Sequence, residues 1–287
     1  MDYLLHILIL IGIYTILVAS LNLAWGYAGL LSFTHAAFAG IGAYGTALLL
    51  MRLGVNFFPA LLAACLLAGL LGALLAGATA RLGGDYFILA VLGFQIVATA
   101  VFLNWVDVTR GPFGLYGIPK PMLFGHPLLA TWQYLALVVA CTGLVVALIH
   151  RIVTLPFGRT LRAIREDEVA VRVLGKDVAG AKVIVFAVSA GCAALAGGLY
   201  AHYYTYVDPF IFDIHESILL ATMVVVGGAS LRGSLVGALV LLLFPEALRA
   251  LNVPGEVTAY LRQILYGALL FLFMLVRPQG LIAERAS

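Results

Sequence analysis

Residues 156–182 read PFGRTLRAIREDEVAVRVLGKDVAGAK and form the one strongly charged segment of an otherwise apolar chain. Widened to 151–182, the segment holds seven of the 16 Lys and Arg residues and four of the 13 Asp and Glu residues. Long apolar stretches lie on both sides of it. This arrangement predicts a membrane protein that holds one helical, charged loop in water, and such a loop is typical of a surface that a soluble partner contacts.

The composition of the remaining chain is that of a protein surrounded by lipid. Hydrophobic residues make up 64% of its 287 positions, charged residues only 10%, and the mean hydropathy is +1.11. A soluble domain has about 25% charged residues, so a soluble fold of this length could not cover its surface with so few. The net charge of +3 is small and the basic residues are mixed with acids, which predicts no nucleic-acid partner.

The cysteines and the first apolar segment favour structural roles. Cys65, Cys141 and Cys192 lie inside apolar runs without CxxC spacing, so we expect no disulfide, metal or catalytic role for them. The first segment has no basic region before its apolar core and no clean small-residue cleavage site. We therefore expect a retained first span rather than a signal peptide.

Apolar segments long enough to span a bilayer recur along the whole chain. A transmembrane helix needs about 20 apolar residues, and nine candidates lie near 4–25, 30–51, 59–80, 86–105, 132–150, 183–204, 216–228, 235–251 and 259–276. Because two of them are short, we expect roughly 8–10 membrane segments. The predicted fold class is an all-α membrane protein, a polytopic helical bundle in one transmembrane domain spanning residues 1–287.

The distribution of basic residues predicts the orientation of the chain. Cytoplasmic loops carry an excess of Lys and Arg, which places 151–182 in the cytoplasm together with the C-terminus. The connection 106–132 contains four glycines and four prolines and would be extracytoplasmic, where we expect an external cap or docking surface rather than a plain linker. Arg52 and Lys120 fall on the wrong side in this count, which is a sign of a re-entrant segment.

Small residues recur at every fourth position in three of the predicted spans, the spacing that lets membrane helices pack closely. They are Ala64, Ala68, Gly72, Ala76 and Ala80 in the third span, Ala190, Ala194 and Gly198 in the sixth, and Ser32, Ala36 and Gly40 in the second. We interpret the first two stripes as helix packing without a role in transport.

The second span differs because it combines many glycines with polar side chains. Each interior glycine weakens a helix by about 1 kcal/mol relative to alanine, so residues 26–50, GYAGLLSFTHAAFAGIGAYGTALLL, predict a broken helix. Such breaks occur at membrane depth where they line a cavity or are buried in protein. His35 would either shape the wall of a transport pathway or bond a neighbouring carbonyl as a packing residue. The candidate pathway residues are Ser32, His35, Phe38, Gly40, Tyr44 and Gln95.

Residues 159–174 are predicted to form one amphipathic helix. At about 100° per residue, its basic face holds Arg162, Arg165 and Arg172. The opposite face gathers small and branched side chains with one acid: Ala163, Ile164, Asp167, Ala170, Val171 and Leu174. Gly158 and Gly175 are the predicted breakpoints at its two ends. Such a helix suits a groove on a cytoplasmic partner; the alternative is a loop held by anionic lipid headgroups.

The sequence contains no motif for chemistry of its own. It lacks HExxH, GxSxG and the phosphate-binding GxxxxGK[ST] pattern, so we expect neither an enzyme nor an ATPase, and no cofactor. The membrane-flanking acids fall at the ends of predicted segments, which argues against a proton- or sodium-coupled carrier. These acids are Asp85, Asp213, Glu216 and Glu246. A transporter of this kind would draw its energy from another protein.

Five blocks of the sequence, in order, resemble the membrane subunits of bacterial branched-chain amino-acid importers of the ATP-binding-cassette class. The blocks are GYAGLLSFTHAAFAGIGAY (26–44), TRGPFGLYGIPKP (109–121), RTLRAIREDEVAVRVLGKDVAGAKVIVFAVSAGCAALAGGLYAHY (159–203), VVVGGASLRGSLVGA (224–238) and YGALLFLFMLVRPQGLI (266–282). The resemblance is to the second of the two permease types and covers essentially the whole chain. The sequence departs from the family pattern at Phe33 and Thr34, where a Leu-Gly pair is commoner, and at Arg232, where a bulky aromatic is usual.

The resemblance implies a machine of several subunits. Two permease subunits, often non-identical, would work with two cytoplasmic ATPases and an extracytoplasmic binding protein, and the fold would be that of related sugar-importer permeases. It also implies a coupling helix that the ATPases contact. In this sequence the coupling helix maps to Arg159, Arg162, Ala163, Arg165, Glu166, Asp167, Arg172, Leu174 and Gly175.

The predicted function is that of a permease subunit in an ATP-driven importer of branched-chain or related amino acids, in a bacterial inner membrane. The pathway would lie between two permease subunits, with membrane lipid around them. Urea, short amides or another small organic solute are alternative substrates within the family. An ion-coupled secondary carrier that works alone is the hypothesis from a different class. In such importers the binding protein largely determines selectivity, so the sequence of this subunit does not identify the solute.

Overall fold

The computed structural model describes residues 2–79, 84–123, 126–228, 230–250, 255–276 and 281, and these ranges are mostly helical. Twelve α-helices follow one another in them: α1 (Asp2–Asn22), α2 (His35–Leu53), α3 (Phe57–Thr79), α4 (Gly84–Asn104), α5 (Val106–Thr109), α6 (Thr131–Thr154), α7 (Pro156–Glu166), α8 (Glu168–Val173), α9 (Val178–Tyr204), α10 (Ile214–Gly227), α11 (Leu231–Ala250) and α12 (Gly255–Val276). Helix α1 continues directly into a turn of π-helix, Leu23–Tyr27.

Six helical segments are long and apolar enough to cross a membrane: α1 with its π-helical turn, α2, α3, α4, α6 and α9. Shorter apolar helical stretches of 10–17 residues lie in α10, α11 and α12. Each of the nine segments predicted from the sequence therefore corresponds to one helix. The predicted class, an all-α polytopic membrane protein, is confirmed.

A small cap lies at the end of the bundle where α6 begins. Four two-residue strands contribute to it: β1 (Leu115–Tyr116), β2 (Met122–Leu123), β3 (His126–Pro127) and β4 (Tyr206–Val207). Strand β1 pairs antiparallel with β4, and β2 with β3. The guanidinium of Arg52, at the end of α2, donates to the carbonyl of Asp107 and, at 3.3 Å, to that of Val108. The described part of the connection 106–132 contains no membrane-length helix.

The two small-residue stripes that were interpreted as packing lie where α3 and α9 meet. Ala64, Ala68 and Ala76 of α3 are buried, and a Cβ at Gly72 would lie 2.7 Å from the Cβ of Ala190 in α9. The opposite side of α3 exposes large aliphatic side chains: Leu62, Leu66, Leu70 and Leu74. The inner and outer faces of α3 therefore differ in side-chain size rather than in polarity, as is usual where membrane helices pack closely.

The break in the second span lies before its glycine-rich part. Residues 28–34 are outside regular helices, and α2 is then continuous from His35 to Leu53. The prediction that glycines interrupt this helix is wrong for Gly40 and Gly42. These glycines are contact points, because a Cβ would lie 2.6 Å from the Phe102 ring at Gly40 and 2.0 Å from the Ala194 carbonyl at Gly42.

Candidate functional site

A buried polar cluster surrounds the first turn of α2 and is here named the α2 hub. The His35 ring nitrogen Nε2 lies 2.8 Å from the Ser189 hydroxyl of α9, which itself donates to the Ser20 carbonyl of α1. Because the single hydroxyl proton of Ser189 is directed to Ser20, His35 donates through a protonated Nε2. Three membrane helices are joined by these two hydrogen bonds, and all three side chains have no exposed surface.

Helices α4 and α10 complete the α2 hub by capping the start of α2. The backbone N–H of Ala37 donates to the Gln95 amide oxygen at 3.0 Å, and that of Ala36 donates to the Ser217 hydroxyl at 3.2 Å. The Gln95 amide nitrogen donates in turn to the Phe212 carbonyl at 2.9 Å. The N–H groups at a helix start have no partner within the helix, and in a membrane they require one from the protein. Gln95 and Ser217 meet this requirement.

The position of His35 shows that the connection between α1 and α2 turns back into the bundle. Since Ser189 bonds both Ser20 and His35, these two residues lie at the same depth. The chain therefore continues past Ser20 through the π-helical turn and returns before α2 begins. We name residues 23–34 the return segment; near its end, the Ser32 and Thr34 hydroxyls bond each other at 2.7 Å.

The remaining predicted pathway residues belong to the aromatic core of the chain. Phe38 has no exposed surface, and its ring centroid lies 5.2 Å from that of Phe94. Tyr44 stacks on Phe102 with centroids 4.9 Å apart, beside Gly40. Together with Ser32, His35 and Gln95, each of these side chains is at most 3% exposed. The six predicted residues lie on α2 or next to its start, inside the chain rather than on an open surface.

A narrow cavity of about 20 Å³ lies beside the α2 hub, between α1, α2, α9 and α10. Tyr14, Tyr200 and Glu216 are its polar lining residues, and Glu216 pairs with the Tyr14 hydroxyl. Such a volume holds about one water molecule, so an amino acid does not fit there in this conformation. Asp213 caps α10 by accepting from the Glu216 N–H at 3.1 Å, which confirms that these acids lie at a helix end. The side chains of Asp85 and Glu246 lie outside the described part.

The charged loop contains two short helices rather than the single helix predicted for residues 159–174. Asp167 separates α7 from α8: its backbone is extended, and its carboxylate accepts from the Ala170 N–H at 3.0 Å as the cap of α8. Gly158 is not a breakpoint, because α7 already begins at Pro156, a residue suited to the first helical position. Gly175 ends α8 with a φ of +75°, as predicted.

The break at Asp167 separates the three arginines that were expected to share a face. Arg162 lies over the Tyr27 ring, 5.7 Å from its centroid, and Arg165 donates to the Gly26 carbonyl. Arg172 instead pairs with Glu168 of its own helix at 2.7 Å. The first two arginines therefore contact the return segment, Arg165 from a partly solvent-exposed position, whereas the third pairs within its own helix.

The apolar residues of the loop also divide differently from the prediction. Ile164 and Val171 are buried against the chain, whereas Val169, Val173 and Leu174 are 67%, 81% and 79% exposed. Sequence periodicity identified Leu174 but missed Val169 and Val173, because it assumed one continuous helix. We name the exposed residues of 159–175 that do not contact the return segment the outer face of the loop; they are Arg159, Glu166, Asp167, Val169, Ala170, Arg172, Val173, Leu174 and Gly175. Arg165 is exposed as well, but its guanidinium contacts the return segment.

A partly buried ion pair holds α8 against α9. Lys182, in the first turns of α9, donates to the Glu168 carboxylate at 2.7 Å, and its side chain is only 10% exposed. Glu168 also accepts from Arg172, so it joins the surface of α8 to a membrane helix. No sequence motif marked Lys182 as part of the site.

A bundle of membrane-length helices around a discontinuous, polar connection, with a charged loop at one end, is typical of a membrane transport permease. The chain belongs to a specific family of this class: residues 3–274 match the family described as "Branched-chain amino acid transport system / permease component".

Similarity to three named permease proteins supports the same assignment. The high-affinity branched-chain amino acid transport system permease protein LivM of Escherichia coli (strain K12) is 35% identical over 296 aligned positions, which cover 94% of this chain and 68% of that protein. A probable LivM protein of Methanocaldococcus jannaschii is 25% identical, covering 99% of this chain and 94% of the relative. The permease protein LivH of E. coli K12 is also 25% identical, over 94% and 91%. No solved structure was found that matches the chain.

Proposed function

We propose that the protein is a permease subunit of an ATP-driven importer of branched-chain or related amino acids in a bacterial inner membrane. The observation that carries this proposal is the similarity to the E. coli permease protein LivM, which extends over 94% of the chain. The sequence lacks a nucleotide-binding motif, so in this proposal separate cytoplasmic ATPases supply the energy. An extracytoplasmic binding protein delivers the solute.

The second permease subunit is proposed to be a related but different chain. Support comes from the weaker similarity to LivH, a differently named permease protein of E. coli, alongside the stronger similarity to LivM from the same organism. The cavity beside the α2 hub is too small for an amino acid, which supports a pathway between two subunits rather than through this one. Ser32, His35, Phe38, Gly40, Tyr44 and Gln95 would then hold the pathway wall in shape from inside the chain.

The charged loop is proposed to be the ATPase contact, with the loop and the C-terminus in the cytoplasm. Its outer face combines three exposed aliphatic side chains with charges of both signs, a mixture that fits an apolar interface core with a polar rim. A loop held by anionic lipid would be expected to expose mainly basic residues. The C-terminal residues lie outside the described part of the chain.

The test is uptake by a reconstituted complex. Proteoliposomes containing this chain, a candidate partner permease and both ATPases are mixed with the binding protein, and entry of labelled leucine is followed with ATP inside. We expect uptake that requires ATP and the binding protein and is unaffected by collapse of proton and sodium gradients. Leucine uptake by this chain alone, driven by an ion gradient, would establish a secondary carrier instead. Uptake of urea or acetamide but not leucine would assign a different solute.

A further inference from the structure

The inner side of α7 contacts the return segment at three points. The Arg165 guanidinium donates to the Gly26 carbonyl, and the Arg162 guanidinium lies over the Tyr27 ring. At Gly29 the backbone passes so close to α7 that a Cβ there would lie 3.2–3.4 Å from the Cγ, Cα and Cβ atoms of Arg165. One short helix thus contacts three of four consecutive positions from 26 to 29.

The contacted segment has an irregular backbone inside the membrane bundle. It begins as π-helix, passes through Gly29 at a φ of +70°, and stays outside regular helices until α2 starts at His35. Single π-helical turns of this kind are frequent at functional sites. Its end carries the Ser32 and Thr34 hydroxyls and leads directly into the α2 hub, so displacement of the segment would reach the helices that the hub joins.

Space on both sides of Arg165 leaves room for such a displacement. A cavity of about 260 Å³ lies between Trp25, Arg165 and the end of α10 at Val224. A second cavity of about 320 Å³ lies between Leu31, Arg165 and Phe87. Arg165 lines both cavities, so its side chain crosses a gap instead of filling a packed core.

We propose that Arg165 is a positioning residue that fastens the return segment to α7, so that the two move as one unit when the outer face of the loop is displaced by a partner. This inference rests on the proposed function. It gives Arg165 a role within the chain, holding the return segment, instead of a direct contact with the ATPase. Arginine suits the role because its guanidinium is permanently charged and donates in a fixed geometry. Glycine suits position 29 because the backbone has a positive φ and lies against α7.

The first experiment separates positioning from docking. Arg165→Ala is compared with Arg159→Ala, another exposed arginine of the same helix that lies on the outer face of the loop, in the complete reconstituted complex. We expect Arg165→Ala to lower leucine uptake at least about tenfold, the scale of losing one hydrogen bond to a charged group, while ATPase co-purification stays at the wild-type level. Normal uptake by Arg165→Ala, or a loss of ATPase binding equal to its loss of uptake, would overturn the proposal.

The second experiment replaces the hydrogen bond by a covalent one. A Cβ at Gly29 would lie 3.4 Å from the Arg165 Cβ, close to the separation of about 3.5–4.5 Å in disulfides. We expect the double variant Gly29→Cys/Arg165→Cys to transport when oxidised and to lose uptake when reduced, whereas each single variant stays inactive in both states. Oxidised protein with a formed disulfide but no more uptake than reduced protein contradicts the proposal. If the double variant does not fold, uptake and ATPase co-purification of Arg165→Ala still test the positioning role.

Uptake by the wild-type complex separates the proposed function from the positioning role of Arg165. Absence of ATP-dependent uptake by the wild-type complex counts against the proposed function itself. Wild-type uptake together with full activity of Arg165→Ala counts against the positioning role alone.

Discussion

At the residue scale, the α2 hub joins polar side chains of different helices: His35 bonds Ser189 of α9, and Gln95 bonds Ser217 of α10. His35 and Gln95 stood out because polar side chains at membrane depth are rare. Ser189 and Ser217 were not among the predicted pathway residues, because a single serine in an apolar helix has no pattern that identifies its partner. The partners of His35 and Gln95 are 154 and 122 residues away along the chain, and only the packing of α9 and α10 brings them together. His35 bonds a serine hydroxyl rather than the carbonyl considered for it, and its part in the pathway stays a prediction.

The hydrogen bonds of Ser189 predict a stability effect. Ser189→Ala removes the acceptor of the His35 Nε2–H and the donor to the Ser20 carbonyl, and both groups stay buried. We expect a loss of about 1–2 kcal/mol, measured as a lower melting temperature in detergent. Thr154→Ala is the matched control, because the Thr154 hydroxyl bonds a carbonyl of its own helix at an exposed position. Equal shifts in the two variants would mean that the α2 hub adds no stability.

At the element scale, the positions of the spans were predictable and the break in the charged loop was not. Apolar runs and stripes of small residues determine where membrane helices lie and which sides meet, so α3 and α9 followed from the sequence alone. The two-helix form of the loop depends on Asp167, whose carboxylate caps α8 through the Ala170 N–H. One helix over residues 159–174 and the two shorter helices α7 and α8 would show the same spacing of apolar and basic residues. The sequence pattern therefore favoured a single helix.

Close contact between α2 and α9 predicts opposite effects for two glycine substitutions. Gly42→Ala places a Cβ about 2.0 Å from the Ala194 carbonyl, whereas a Cβ at Gly143 in α6 meets no atom within 4 Å. Alanine favours a helix by about 1 kcal/mol over glycine, so Gly143→Ala should leave stability unchanged or raise it. Gly42→Ala should lower stability by about 1–3 kcal/mol, the usual cost of overpacking.

Melting temperatures of the two purified variants provide the measurement. Membrane levels of both proteins are compared first, so that poor insertion is not mistaken for low stability. If Gly42→Ala is as stable as Gly143→Ala, the α2–α9 contact is looser than the structure shows.

The ion pair between α8 and α9 predicts an asymmetry between its two members. Glu168→Gln leaves Lys182 nearly buried without its carboxylate, and because Glu168 is partly exposed we expect a cost at the lower end of the range of about 3–5 kcal/mol for breaking a buried pair. Lys182→Met should cost less, since Glu168 is 33% exposed and keeps Arg172 as a partner. Thermal unfolding of the two variants and of the double variant gives the comparison. A larger loss for Lys182→Met would show that the buried charge is not the dominant cost.

At the scale of the whole molecule, two surfaces lie at opposite ends of α6. The cap presents Phe113 and Tyr116 at one end, and the outer face of the loop presents Val169, Val173 and Leu174 at the other. The family assignment gives these ends different proposed partners, a binding protein and an ATPase. The sequence did not predict which residues are exposed on either surface. Exposure there depends on where short helices and strands begin and end, and apolar periodicity does not determine those ends.

The outer face supplies the last prediction, which concerns assembly. Val173→Asp combined with Leu174→Asp places two charges where we propose an apolar contact with the ATPase. Central apolar contacts in protein interfaces are often worth about 2 kcal/mol or more, so ATPase affinity should fall roughly 25-fold or more. Phe113→Asp is the matched control, because Phe113 is equally exposed, at 81%, but lies on the cap. Affinity is measured by co-purification of tagged ATPase in detergent without anionic lipid. If the double variant retains the ATPase there and instead loses binding only to anionic vesicles, the loop is a lipid anchor and the docking role is wrong.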